Sequence, residues 1–137
     1  MSARSKARKR ALDVIFAAEA RGREAGAFLA EQVEAGDGPS NEYTVTLVQG
    51  VAGRLARIDE IIATYAEGWT LDRMPAVDRN VLRLGVYELL WVDEVPDAVA
   101  ISEALNLVGE LSTDESPAFV NGVLGRVGRS KGDLVDT

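Results

Sequence analysis

Five cations, Arg4, Lys6, Arg8, Lys9 and Arg10, crowd the first ten residues with no acid among them. Lysine and arginine at that density suit phosphate oxygens, which they meet as point charges and planar forks. The rest of the chain carries the opposite sign: taking these five charges from the net −7 leaves −12 on residues 11–137. A basic run at the start of an acidic protein reads as a phosphate-binding arm, and the competing reading is a solvated run that only aids solubility. Cations at a helix N-terminus oppose its macrodipole, so the run slightly destabilises the helix it begins unless an anion answers it.

Other chemistry is scarce. The sequence has no cysteine and no histidine, which removes disulfides, thiolate nucleophiles, Cys-based zinc sites and the usual neutral-pH base. None of its 22 acidic residues stands with another catalytic type at a telling spacing. Neither "GDGPS" at 36–40 nor "GVLGRVGRS" at 122–130 has the lysine and hydroxyl that a phosphate loop needs. No cofactor and no enzymatic activity are expected.

The remaining candidates each have a bland alternative. Leu12, Phe16, Glu19 and Arg23 form a second stripe on the first helix, and Phe16 either widens the buried face or anchors a protein partner. Arg79, Asn80, Arg83, Glu88 and Asn121 lie among apolar helical residues, as interhelical hydrogen bonds or as ligand contacts. Arg83 and Glu88 suit internal braces.

The elements that must position these residues are helical, because apolar residues recur at spacings of three and four and no stretch alternates as a strand does. The periodicity predicts helices near 3–21, 26–35, 40–65, 76–92, 98–111 and 117–127, with Ser40 and Ser116 as caps. Val33, Leu55, Leu89, Val99 and Leu111 fall on inward stripes, and "GWTLDRMP" at 68–75 breaks the pattern. A chain of 137 residues, 47% hydrophobic and 27% charged, should fold as one domain and not remain disordered. Its longest apolar stretch, "LGVYELLWV" at 84–92, is far short of the roughly 20 residues of a membrane span. Asp13 and Glu19 interrupt any signal-peptide core after the basic start, so a cytoplasmic protein is expected.

"SKARKRALDVIF", "VDRNVLRLGVYELL", "VPDAVAISEALNLV" and "FVNGVLGRV" occur in an order and spacing that resembles the NusB family of transcription antitermination factors, over residues 4–128. Ser5, Ser102 and Gly125 depart from the family's usual residues. The resemblance implies an all-α single domain of six to seven helices, arranged as two packed three-helix bundles. It divides the chain into a basic arm at 1–10, a helical RNA-binding domain over 4–128 and a disordered tail at 129–137.

The partners it implies are the boxA segment of nascent ribosomal RNA, NusE, which is also a small-subunit ribosomal protein, and the RNA polymerase elongation complex with other Nus factors. Together these promote read-through of terminators. By matching position, Arg4, Lys6, Arg8, Lys9 and Arg10 would meet RNA, as would Asp78 and Phe119, with Arg79 and Asn121 as neighbours. Phe16, flanked by Leu12 and Glu19, would face NusE. Two alternatives differ in class. A similar helical domain precedes the catalytic domain of a ribosomal RNA cytosine methyltransferase, whose nucleophilic cysteine this sequence lacks. Some relatives form homodimers through the surface that otherwise takes RNA.

Overall fold

The computed structural model of the protein describes residues 2–135. Among them are eight α-helices and no strand: α1 Ala3–Ala20, α2 Ala25–Glu34, α3 Glu42–Gly53, α4 Leu55–Tyr65, α5 Ala76–Trp91, α6 Asp97–Leu111, α7 Ser116–Arg129 and the single turn α8 Lys131–Leu134. A 3₁₀ turn, Leu71–Arg73, stands between α4 and α5. The fold is all-α, and its chain divides into two compact units between Leu55 and Ala56.

In the first unit α1, α2 and α3 pack pairwise. Ala7, Ala11, Val14, Ile15 and Ala18 of α1 are buried, as are Leu29 of α2 and Leu47, Val48 and Val51 of α3. The small residues on α1 let α3 approach closely enough for Thr44 to donate its hydroxyl to the carbonyl of Ala7 at 2.9 Å. The helix starts are satisfied locally. Ser2 accepts from Ser5 N–H, Glu24 from Gly26 and Ala27, and Asn41, one residue beyond the expected Ser40, from Tyr43.

In the second unit α5 is the buried centre, with α6 and α7 packed on it and on each other. A methyl group at Gly85 would lie 2.8 Å from a terminal carbon of Leu124, so α7 rests directly on the α5 backbone. Arg83 of α5 forks onto Asp59 of α4, with Nε–Oδ1 at 2.8 Å and Nη2–Oδ2 at 2.9 Å, and also donates to Asn80. This is the internal brace expected of it. Arg126 of α7 donates Nε and Nη2 to the carbonyl of Tyr65 at 3.1 and 2.8 Å, satisfying the last turn of α4.

Several expectations need correction. The helix expected over 40–65 is two, separated at Arg54, whose N–H turns back to Val51. Gly50 and Gly53 each weaken a helix by about 1 kcal/mol relative to alanine, and the apolar spacing runs on across the break, so periodicity alone hides it. The change of phase turns Leu55 outward, to 38% exposure. Val33, Val99 and Leu111 are likewise exposed and do not belong to the core. Ser116 is the first residue of α7, and its hydroxyl is committed across to α5 instead of capping its own helix. Where the sequence suggests a disordered tail from 129, α7 continues to Arg129 and α8 follows; residues 136 and 137 lie outside the described part. No helix of the described residues is long and apolar enough to cross a membrane.

Candidate nucleic-acid interface

The arm forms the first turns of α1, and its five cations have unequal surroundings. Arg4 and Lys6 are exposed, and Lys9 and Arg10 are half-buried. The Arg4 guanidinium lies 4.2 Å above the Tyr43 ring centroid, a cation–π contact that holds it in place while leaving its edge to solvent. Arg8, one turn later, is only 4% exposed and sits 5.7 Å from the same ring. It falls beside the Ala7–Ala11 seam and is drawn into the α1–α3 packing. Four of the five expected cations, Arg4, Lys6, Lys9 and Arg10, are thus presented to solvent, and Arg8 is buried.

Lys6 and Arg10, a turn apart, flank a hollow of about 450 Å³ between α1 and the loop before α3, closed by Pro39, Ser40, Asn41 and Thr44. Arg10 reaches across it to the carbonyl of Asp37 at 3.4 Å, and Asn41 donates to the carbonyl of Ala3. The loop read from the sequence only as a break thus forms one wall of a cationic cleft.

The expected partner stripe divides. Leu12 is 2% exposed and belongs to the core, which removes it from any docking surface. Phe16 is 41% exposed, a large apolar ring left at the surface of the first unit, and Glu19 is half-buried.

In the second unit the expected residues Asp78 and Phe119 line one cavity, of about 300 Å³, together with Trp69, Met74, Pro75, Thr113, Glu115 and Ser116. Asp78, in the first turn of α5, is 3% exposed. Its Oδ1 accepts from the Ser112 hydroxyl and its Oδ2 from Ser116 at 2.9 Å. Asp78 thus forms the floor that joins α5 to the start of α7 and is not an exposed acceptor as expected. Phe119 is half-buried, and the ring of Trp69 meets it edge-on, with centroids 6.0 Å apart and planes at 61°.

Arg79 and Asn121 do not line this cavity. Arg79 donates to the carbonyls of Leu71 and Met74 at 2.8 and 3.1 Å and so fixes the 3₁₀ turn below Trp69. Asn121 stands exposed on α7. Sequence reasoning missed Trp69, which is 51% exposed. The signal was present: a tryptophan directly after a glycine break, in a segment where no helical stripe requires it. Glu67 and Gly68, with φ of 35° and 84°, turn the chain sharply after α4 and carry Trp69 to the cavity.

The comparisons with known proteins are consistent across sequence and structure. Residues 5–129 match the NusB family model. A transcription antitermination protein NusB from a Nocardioides species is 65% identical over 134 residues, covering 98% of this chain and 99% of its own. A Streptomyces coelicolor protein of the same name is 54% identical over 139 residues, with 98% of each chain covered. Among solved structures, T. maritima NusB superposes with a TM-score of 0.82 at 32% identity, covering 97% of this chain and 99% of that one. A structure of the antitermination factors NusB and NusE in complex with dsRNA gives 0.79 at 30% identity, with 93% and 96% covered. The chain belongs to the NusB family, a family of transcription antitermination proteins and not of enzymes.

Proposed function

We propose that this protein binds the boxA segment of nascent ribosomal RNA together with NusE, and that the assembly lets the RNA polymerase elongation complex, with its other Nus factors, read through terminators. The observation that carries this reading is the presentation of Arg4, Lys6, Lys9 and Arg10 at the start of α1 in a chain whose residues 11–137 sum to −12. An acidic body limits indiscriminate binding to nucleic acid, so the affinity of the arm is confined to one place. The likeness to a NusB–NusE–RNA assembly supports the choice of partners.

The roles then divide. The arm fixes the strand through phosphates and carries no sequence information. Phe119 offers an aromatic face to an unstacked base, and exposed Asn121 offers an amide elsewhere on α7. Phe16 anchors NusE, with Glu19 as a polar contact at its rim. Such a protein acts in the cytoplasm, where transcripts emerge.

The test is binding of boxA and scrambled RNA of equal length, each measured with and without NusE. Tighter binding of boxA that strengthens further with NusE is expected, and Phe16→Ala should remove that gain while leaving RNA binding by the protein alone intact. Equal affinity for the two RNAs in the presence of NusE would overturn the reading.

A further inference from the structure

The opening turns of α1 are an unfavourable place for a row of cations. The N–H groups exposed at a helix start favour anions, and no acid stands in the first turn of α1 to answer them. A chain end also frays unless something ties it down. A frayed arm would keep its charge, but it would have to be ordered each time it met a strand, and that ordering weakens binding.

The start of α3 ties this arm down. Asn41, the cap of α3, donates its side-chain amide to the carbonyl of Ala3 at 3.4 Å, and Thr44 donates its hydroxyl to that of Ala7 at 2.9 Å. These two contacts fix backbone. Between them in sequence, half-buried Tyr43 sets its ring against side chains, with the Arg4 guanidinium 4.2 Å from the centroid and that of Arg8 at 5.7 Å. Arg8 is buried, so Arg4 is the member of this pair that stays open to solvent. A ring holds a cation differently from a carboxylate. It attracts through its quadrupole and leaves the positive charge uncancelled for a second partner.

We propose that Tyr43 is a positioning residue for RNA binding: it orders the Arg4 guanidinium as a phosphate contact before the strand arrives, and so strengthens binding without touching RNA. This rests on the RNA-binding reading above and adds to it a neutral residue on a different helix from the arm. Because Arg4 meets phosphate, Tyr43 acts on the strength of binding and not on the sequence preferred.

The experiment uses the full chain with NusE and compares boxA with scrambled RNA at several salt concentrations. Tyr43→Leu keeps an apolar side chain, removes the ring and changes no charge. It should weaken both RNAs by about two- to fivefold, the range for one cation–π contact near the surface. It should also flatten the slope of log affinity against log salt by up to about 0.7, the value of one phosphate contact, although every cation remains in the chain. Tyr43→Phe keeps the ring and should bind both RNAs nearly as wild type does. In an Arg4→Gln background Tyr43→Leu should cause no further loss, since the cation that the ring positions is gone.

If Tyr43→Leu lowers the melting temperature but binds both RNAs as wild type does, with an unchanged slope, the ring is packing alone and the proposal is overturned. A further loss in the Arg4→Gln background, or a Tyr43→Phe that binds as weakly as Tyr43→Leu, would mean that the ring or its hydroxyl meets RNA directly, and overturns it as well. If wild type binds boxA and scrambled RNA equally, the boxA reading falls while the affinities and slopes of the variants still decide the role of Tyr43. If wild type binds neither RNA, both fall.

Discussion

Asp78 illustrates why residue type alone misplaces a role. A carboxylate at the head of a helix in an RNA-binding family suggests an acceptor for base amino groups, but two serine hydroxyls from the start of α7 and the preceding loop occupy it from inside. Asp78→Ala should therefore act first on stability. It removes the carboxylate that accepts from buried Ser116 and from Ser112, leaving their hydroxyls only each other and Thr113, at a cost of roughly 1–3 kcal/mol. Denaturant unfolding checks this, and an unchanged midpoint with lost RNA discrimination would return Asp78 to the reading surface. The same lesson applies to Arg8 and Leu12. Each lies within one residue of the Ala7–Ala11 seam, and helical spacing could not decide between the seam and its shoulder. The cationic cluster was legible because charge clustering survives in one dimension, whereas Phe119 came only from the resemblance to the family. The partnership of Trp69 with Phe119, residues separated by a 3₁₀ turn and two α-helices, required the fold.

Helices as elements were easier to read than residues as roles. Apolar spacing located α1, α2, α5, α6 and α7 to within a few residues, although α2 buries only Leu29. It failed between α3 and α4, where a stripe crosses a break that only backbone geometry reveals. The difference is measurable by paired truncations. Leu89→Ala, at a site 1% exposed in the centre of α5, should cost about 2–5 kcal/mol. Leu55→Ala, at 38% exposure just past the break, should cost under about 0.5 kcal/mol. Equal losses in chemical unfolding would mean that α3 and α4 behave as the single helix their periodicity suggests.

For the whole molecule the decisive quantity is how charge is distributed. Four presented cations, each releasing counterions from a single strand, give a slope of log affinity against log salt of about −2.8, at about −0.7 per phosphate contact. Lys6→Gln with Arg10→Gln should flatten it by about 1.4 and weaken boxA and scrambled RNA alike, because both line the cationic hollow and phosphate contacts carry no sequence information. Titrations at several salt concentrations with NusE present would check this; an unchanged slope would remove the hollow from the RNA path. The two-unit division adds a separation of labour that the linear sequence does not display, with the cationic arm in one unit and the aromatic cavity in the other.

The left-handed pair Glu67–Gly68 gives this protein a peculiar genetics. At φ 84° a side chain on residue 68 is strained whatever space surrounds it, so most alleles there would redirect the tryptophan that follows without disturbing the helices on either side. Alleles at residue 68 would then change the surface that Trp69 presents, although glycine itself offers no side chain to any ligand.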